Sequence, residues 1–116
     1  MYQDKYPLHY AALANNVDLI EELINNKADI DAMDIYDRTP LHIAARFGSV
    51  EAMEILIKNG ANIEARDDDG KTPLHLVAKP GHVKAIEVLI NNKADIDARD
   101  IDGRTPLEIF KNNREL

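Results

Sequence analysis

The chain of 116 residues has no cysteine and no tryptophan, and Ser49 is its only serine. Without cysteine there is no disulfide framework and no thiolate chemistry. A single serine also leaves no nucleophile and base pair of the kind that covalent catalysis requires. We therefore expect no enzymatic activity, and a reducing cytoplasm is a compatible compartment.

Long apolar runs and an excess of positive charge are missing as well. Apolar stretches are only a few residues long, so the sequence indicates neither a signal peptide nor a membrane span. The formal net charge of -7 disfavours a generic binder of nucleic acid or of anionic membranes. We expect a cytoplasmic protein, or one delivered to a host cytosol if its source is an intracellular bacterium.

What the chain does have is a fixed period. Pro7, Pro40, Pro73 and Pro106 lie 33 residues apart, inside the similar phrases YPLHYA, TPLHIA, TPLHLV and TPLEIF. Such a period predicts one supersecondary unit repeated along the chain, with local contacts and an elongated surface. The expected repeats of this single domain are residues 1–33, 34–66, 67–99 and 100–116, the last of them partial.

Each repeat predicts two short antiparallel helices. A threonine can cap a helix that begins at the following proline, where a missing N–H costs nothing. This first helix ends at a residue that tolerates positive φ, and the second begins directly afterwards at a good N-cap such as Asn16 or Ser49. Helices this short are marginal alone, so stacking between repeats must stabilise them. The capping threonines are Thr39, Thr72 and Thr105, and the residues at the helix ends are Asn15, Gly48 and Gly81.

The third repeat resembles the ankyrin repeat. Asp67 to Asp95 match the pattern D-x-x-G-x-T-P-L-H-x-A-A…G-H…V…L-L…G-A-D almost term by term, and phased copies cover the whole chain. The resemblance implies an all-α ankyrin-repeat solenoid of stacked helix pairs with projecting β-turn or hairpin-like loops. It also implies that His9, His42 and His75 bond the backbone of the neighbouring turn, and that the chain is a protein–protein interaction module.

Two fragments invite a cofactor or metal interpretation, and each fails on spacing. Gly70–Thr72 ends like a phosphate-binding loop, but Ala65 stands where its first glycine is needed. Asp67–Gly70 looks like part of a calcium loop. Placing its glycine sixth, however, puts Ala65 first and Leu76 twelfth, where carboxylates are required. We therefore expect no cofactor and no metal.

Basic residues recur at three positions of the repeat, and by the geometry of the family all three rows face the concave side of the stack. Acidic residues of the second helices fall on the convex side, while aspartates at the turn tips dilute the contrast. One interpretation is that the concave side meets an acidic or mixed-charge protein segment. The other is that arginine and aspartate at the turns only pair with one another. The rows are Arg38, Lys71 and Arg104, then Arg46 and Lys79, then Arg66 and Arg99, and the tip aspartates are Asp68, Asp69 and Asp102.

The second repeat carries the best candidates for contact energy. Ile35 and Tyr36 at the turn tip and Phe47 at the end of the first helix occupy positions that in this family face solvent or a partner. Aromatic and arginine side chains carry much of the binding energy at interfaces, and here two rings cluster with Arg38 and Arg46. Alternatively, Phe47 folds down over its own helix end.

We expect a monomer that binds a protein partner through the turn tips and the concave face of the first helices. Two alternatives remain open. The chain could be a regulatory subunit or inhibitor of an enzyme such as a kinase, or an engineered scaffold without a natural partner.

Overall fold

The computed structural model describes residues 1–78 and 81–114. The described residues form helices joined by turns, and the molecule measures 42 × 26 × 24 Å along its principal axes. The helices are α1 (Tyr2–Lys5), α2 (Pro7–Leu13), α3 (Val17–Asn25), α4 (Pro40–Arg46), α5 (Val50–Lys58), α6 (Pro73–Ala78), α7 (Val83–Asn91) and α8 (Pro106–Arg114). Helix pairs α2–α3, α4–α5 and α6–α7 form the first three repeats, and α8 is the first helix of the fourth, so the predicted all-α stack is confirmed.

The first helices begin at the predicted threonine caps. The backbone N–H of His42 donates to Thr39 Oγ1 at 3.3 Å, and the Thr39 N–H donates in return to His42 Nδ1 at 3.1 Å. This reciprocal pair is a capping box, with histidine in the place usually held by glutamate or glutamine. The same two bonds join Thr72 to His75 and Thr105 to Glu108.

The predicted ends of the first helices are also confirmed. Asn15, Gly48 and Gly81 have φ angles of 53°, 66° and 73°, in the left-handed region that ends a helix. At Gly48 the absence of a side chain has a second reason. A Cβ added there would lie 2.9 Å from Nδ1 of His82, because the imidazole of the next repeat packs on the glycine.

The two predicted caps of the second helices have different outcomes. Asn16 caps α3, since its side chain accepts the backbone N–H of Leu19 at 3.1 Å. Ser49 precedes α5 but accepts no capping bond, so that prediction is wrong. Its hydroxyl instead donates to the carbonyl of Leu13 in the preceding repeat, at 3.4 Å.

Helix α5 is capped from the neighbouring repeat. Asn15 Oδ1 accepts the backbone N–H of Ala52, the third residue of α5, at 2.8 Å. The amide nitrogen of the same side chain donates to Glu51 Oε1 at 2.7 Å. One asparagine therefore satisfies an open donor of the next repeat and joins the two repeats.

Small side chains let neighbouring first helices approach closely. The alanines of α2 and α4 have no exposed surface, and larger apolar residues fill the space between these helices and the outer row formed by α3, α5 and α7. Complete burial of each large side chain stabilises the fold by roughly 1.5–3 kcal/mol. The fully buried residues include Ala11, Ala12, Ala44, Ala45, Ile20, Met53, Leu56 and Leu89.

The turns before the first helices project along one edge of the stack. In the second repeat the backbone N–H of Tyr36 bonds to Asp34 Oδ1 at 2.8 Å, which folds the turn. Neighbouring tips are joined by backbone hydrogen bonds of 3.0 Å, from Asp68 N–H to the Tyr36 carbonyl and from Ile101 N–H to the Asp69 carbonyl. The three tips therefore form a continuous ribbon.

The short helix α1 has no counterpart in the sequence prediction, in which the first helix of each repeat begins at its proline. It has four residues and precedes α2, where the other repeats have their turn. The rings of Tyr2 and Tyr6 lie 6.4 and 5.4 Å from the imidazole of His9, both in edge-to-face orientation. These aromatic contacts hold α1 against the first repeat.

Lys93 provides a test of backbone strain. It stands one residue past the C-cap of α7, where the second repeat has Gly60, and its φ is 67° compared with 92° at the glycine. Because a left-handed conformation costs a residue with a Cβ about 1 kcal/mol, we expect Lys93→Gly to raise the midpoint of thermal unfolding. Lys58→Gly is the matched control: it puts glycine at the last residue of α5, where φ is not positive, so the midpoint should fall. An unchanged or lower midpoint for Lys93→Gly would contradict the prediction.

Candidate functional site: the concave cleft

A cleft of 710 Å³ lies between the turn tips and the first helices of the second and third repeats. We call it the concave cleft. Helix α4 contributes its last residue and its C-cap, the second and third turns contribute their tips, and α6 and α8 contribute the floor. The lining residues are Tyr36, Arg38, Arg46, Phe47, Asp67, Asp68, Asp69, Lys71, His75, Leu76 and Ile109.

The cleft brings together part of the set of partner-binding residues predicted from the sequence. Tyr36, Arg38, Arg46, Phe47, Asp68, Asp69 and Lys71 line it. Ile35, Arg66, Arg99, Asp102 and Arg104 lie outside it, and Lys79 lies outside the described residues. For every residue of the predicted set, inside or outside the cleft, the role in binding a partner stays a prediction.

Sequence reasoning missed the floor of the cleft. Leu76, His75 and Ile109 line it although none was named as a contact residue. The signal was present, since Leu76 and Ile109 share one repeat position, the residue after the histidine or glutamate of the capping box.

The two aromatic rings of the cleft are available for contact. Tyr36 is 50 % exposed and Phe47 is 54 % exposed, so Phe47 is not folded away over its helix end. The Arg38 guanidinium lies 4.8 Å from the centre of the Tyr36 ring, a cation–π distance. The tyrosine is therefore held at the rim of the cleft by its own turn.

One basic row is largely neutralised inside the protein. Arg38 Nε lies 3.1 Å from Asp34 Oδ2, and Lys71 Nζ lies 3.4 Å from Oδ2 of the buried Asp100. Arg104 approaches the same Asp100 oxygen to 3.4 Å. For this row, the structure agrees better with the interpretation that basic residues and aspartates pair at the turns than with that of a free basic surface.

The buried aspartates at the turns are held in their ionised form. Burial raises the pKa of Asp34, but hydrogen bonds from the backbone N–H groups of Arg38 and Tyr36 and the Arg38 charge outweigh it, so its pKa is lowered. Asp100 follows the same pattern. Burial raises its pKa, but the hydrogen bond from the Arg104 backbone N–H and the Lys71 charge outweigh this effect, so the pKa of Asp100 is lowered.

The row of Arg66 and Arg99 supports the turns rather than the cleft. Arg66 Nη1 donates to the carbonyl of Gly70 at 3.0 Å and to that of Arg99, one repeat further on, at 2.5 Å. Arg99 Nη1 donates to the Gly103 carbonyl at 2.7 Å. Both guanidinium groups therefore fasten turn backbone.

Arg46 is different from the other arginines of the rows. It is exposed at the end of α4, and its guanidinium makes no hydrogen bond or ion pair with any residue that the structure describes. The exposed carboxylates of Asp68 and Asp69 lie on the turn tip that borders the same cleft. Counting only the residues that the structure describes, the cleft thus has an unpaired cation on its helix side and unpaired anions on its tip side.

The three consecutive aspartates have the geometry of a turn. The carboxylate oxygens of Asp67, Asp68 and Asp69 lie within 4.8 Å of one another, the single acidic or histidine group of this kind in the described part of the chain. Asp67 Oδ1 already accepts the backbone N–H groups of Asp69 and Lys71, each at 2.9 Å. Its acceptor is therefore used by the turn itself.

The recurring histidines make the contacts that the resemblance implied. Nε2 of His9, His42 and His75 lies 2.6, 2.8 and 2.9 Å from the carbonyl oxygens of Arg38, Lys71 and Arg104, each in the turn of the next repeat. In the second repeat Nδ1 accepts the Thr39 N–H, so the ring proton must be on Nε2, which donates to the carbonyl. Both ring nitrogens of His42 are therefore engaged within the protein.

These imidazoles are neutral because they are buried. Burial lowers the pKa of His9, His42 and His75, and the hydrogen bonds to the next turn only partly oppose it. Protonation of Nδ1 would place an N–H against the threonine N–H that it now accepts. These three histidines, which we call the histidine column, therefore join neighbouring repeats through hydrogen bonds.

Comparison with protein families agrees with this architecture. A family model described as ankyrin repeats in three copies matches residues 2–67, and one described as ankyrin repeats in many copies matches residues 47–90 and 75–110. Among curated proteins, none matches the chain significantly. Within the described ranges, the helices lack the combined length and apolar character needed to cross a bilayer.

Proposed function

Since this chain belongs to the ankyrin repeat family, we propose that it is a non-enzymatic module that binds a protein partner through the concave cleft and the turn tips. Proteins built from these repeats generally serve protein–protein interaction, which is the broad role. One observation carries the specific surface. The cleft gathers within one concave volume two half-exposed aromatic rings, together with a guanidinium and two carboxylates that have no ion-pair partner among the described residues.

The aromatic rings supply the apolar part of this surface. Tyr36 and Phe47 lie on the rim of the cleft, and Leu76 and Ile109 form its floor. An apolar side chain of a partner that enters between rim and floor would remove the two half-exposed rings from water. Such central anchors surrounded by polar groups carry most of the binding energy at protein interfaces.

The charges favour a mixed-charge partner segment over a purely acidic one. Arg38 and Lys71 are already paired with aspartates, so they add little net attraction for acidic residues. The free Arg46 suits a partner carboxylate, and the tip carboxylates of Asp68 and Asp69 suit a lysine or arginine. A partner segment with an acidic residue toward the helices and a basic residue toward the tips would pair with Arg46 and with the tip carboxylates at once.

We expect Phe47→Ala, Tyr36→Ala and Arg46→Ala each to weaken the partner complex by more than about 1 kcal/mol while leaving the fold unchanged. Each variant removes exposed surface, so its thermal unfolding should match that of the parent. The partner is captured from the source cell on the immobilised chain, identified by mass spectrometry, purified and titrated by calorimetry. Added salt should weaken the complex, because the free charges of the cleft are exposed.

Convex carboxylates provide the matched controls. Glu54 on α5 and Glu87 on α7 are exposed on the opposite side of the stack, so their replacement by alanine should change the affinity little. Large losses at Glu54 and Glu87, with Phe47 and Arg46 neutral, would mean that the partner binds the convex side, and the proposal would be wrong.

A further inference from the structure

One asparagine of the chain is followed by glycine. Asn59 is the C-cap of α5, Gly60 comes next, and both residues are exposed. The other asparagines precede larger residues. The backbone nitrogen of Gly60 has no Cβ beside it, and an added Cβ would meet no atom within 4 Å. No side chain therefore shields the amide carbon of Asn59 from attack by this nitrogen.

Such an attack deamidates the asparagine. The Gly60 nitrogen gives up its proton and forms a bond to Cγ of Asn59, the Cγ–Nδ2 bond breaks, and ammonia leaves. The cyclic imide that results then takes up a water molecule. If water breaks the bond from the nitrogen to Cγ, aspartate is formed. If water breaks the bond to the main-chain carbonyl carbon, the chain continues through the side chain as isoaspartate. Water enters and ammonia leaves, so the reaction needs no oxidant, reductant or enzyme.

The closed fold holds this reaction back. The Gly60 N–H donates to the Ile57 carbonyl at 3.0 Å, and the side-chain amide of Asn59 donates to the Ile55 carbonyl at 2.8 Å. The ψ angle of 14° at Asn59 also turns the Gly60 nitrogen away from the side chain. Both hydrogen bonds must break, and the backbone must rotate, before the imide can close.

We propose that Asn59 is a site of spontaneous deamidation, and that opening of the last turn of α5 sets the rate of this modification. Helix ends open more readily than buried segments, so the turn can open without unfolding of the domain. Lys58 and Asn59 are exposed whereas Leu56 is fully buried, which confines the opening to the residues after Leu56. The modified fraction then grows with the time that the turn has spent open.

The product weakens the end of α5. A carboxylate at residue 59 would face the Ile55 carbonyl, so two acceptors would meet where a donor and an acceptor now bond. Its negative charge would also lie at the negative end of the helix dipole. Isoaspartate lengthens the main chain just before Asn62, whose N–H bonds to Asp31 of the first repeat at 2.9 Å. Deamidation therefore loosens the junction between the first and second repeats.

The third repeat contains a nearly identical site without the glycine. Asn92 is the C-cap of α7 with a ψ of 18°, and its side-chain amide donates to the Val88 carbonyl at 2.8 Å. The N–H of the next residue, Lys93, donates to the Ile90 carbonyl at 2.9 Å. The two asparagines are restrained alike, and they differ in the residue that supplies the attacking nitrogen. Asn92 is therefore an internal control.

The test follows both asparagines in the full chain, held at mildly alkaline pH. Samples are then cut after glutamate at mildly acidic pH, where deamidation is slow, which separates residues 55–64 from residues 88–108. Mass spectrometry with fragmentation that distinguishes isoaspartate measures the modified fraction at each site. We expect Asn59 to be converted faster than Asn92 by more than an order of magnitude. No conversion of Asn59, or equal conversion of Asn92, would overturn the proposal.

Exchanging the residue after each asparagine should exchange their behaviour. Gly60→Lys should suppress the conversion of Asn59, and it should fold, because Lys27 and Lys93 have positive φ at the same repeat position. Lys93→Gly should bring the conversion of Asn92 to within a few-fold of that of Asn59. Conversion of Asn59 that persists in Gly60→Lys would show that the Gly60 nitrogen is not responsible.

The role of the turn is tested by unfolding. The full chain in urea should convert Asn59 faster than the folded chain does. The ratio of the two rates should match the hydrogen-exchange protection factor of the Gly60 amide within a few-fold, because both processes require the bond to Ile57 to break. Equal rates with and without urea, or a ratio that differs from the protection factor by more than an order of magnitude, would contradict control by the turn.

Asn59→Asp reproduces one product and should lower the midpoint of thermal unfolding by about 2–5 °C. Asn62→Asp is the matched control. Asp29 and Asp95 hold the same repeat position and accept the same turn hydrogen bond as Asn62, so this midpoint should not change. A neutral Asn59→Asp would refute the loosened junction. Neither asparagine lines the concave cleft, so these outcomes are independent of partner binding there.

Discussion

Leu74→Ala should lower the free energy of unfolding by about 2–5 kcal/mol, because it leaves a cavity where a buried leucine stood. Leu74 is 3 % exposed in α6, which packs on α4 on one side and on α8 on the other. The cavity would therefore open at an interface that two neighbouring repeats share. Chemical denaturation followed by circular dichroism measures the loss.

The loss should spread beyond the third repeat. Each helix pair is stabilised by its neighbours, so amide hydrogen exchange should quicken in α4 and α8 as well as in α6. Leu107→Ala is the matched control, because Leu107 follows the helix proline as Leu74 does but is 63 % exposed. If exchange quickened in α6 and α7 alone, the nearest-neighbour account of stability would be wrong.

Mild acid should destabilise the protein through its histidine column. The pKa of each buried histidine is lowered in the fold, so below about pH 6.5, the ordinary histidine pKa, the unfolded chain binds more protons than the folded one. Stability is then fully present above that pH and falls as the pH decreases. Each histidine can contribute a slope of up to about 1.4 kcal/mol per pH unit.

The groups around the column set the size of this effect. The Asp34 charge raises the pKa of His9 while the Arg38 charge lowers it. In the same way, the Asp100 charge raises the pKa of His75 and the Arg66 charge lowers it. In each case burial remains the largest influence. The carboxylates act in a separate window, since the lowered pKa values of Asp34 and Asp100 affect stability only at more acidic pH.

The measurement is the free energy of unfolding from pH 8 to pH 5, with His42→Gln as the comparison. This variant should be less stable at pH 8, because it disturbs the bonds to Thr39 and to the Lys71 carbonyl. Its stability should depend less steeply on pH, because one fewer proton is taken up on unfolding. Identical slopes for both proteins would contradict a neutral, buried His42.

Features set by neighbours in the chain were predictable from the sequence. The period of the prolines located every first helix, and Thr39 and Asn16 cap as local rules require. The histidine contacts followed from the resemblance rather than from the residues alone. Positive φ at Asn15 and Gly48 followed from the need to end one helix directly before the next.

Features set by contacts between repeats were not predictable in the same way. Ser49 is a good N-cap by local rules, but Asn15 reaches the start of α5 from 37 residues before Ala52 and takes that role. The shared spacing of Lys71 and Arg104 indicated one row. It could not show that the carboxylate of Asp100 lies between them and takes up their charge.

The junctions between repeats also limit how the gene can rearrange. Asn15 extends across its junction to α5, whereas Gly48 leaves a space that the ring of His82 occupies. A deletion that joined the first repeat directly to the third would set an asparagine against this imidazole, which would then have to leave its place. Unequal crossing-over avoids this displacement when both members of a junction pair are transferred together. The order of the repeats is inherited along with their sequences.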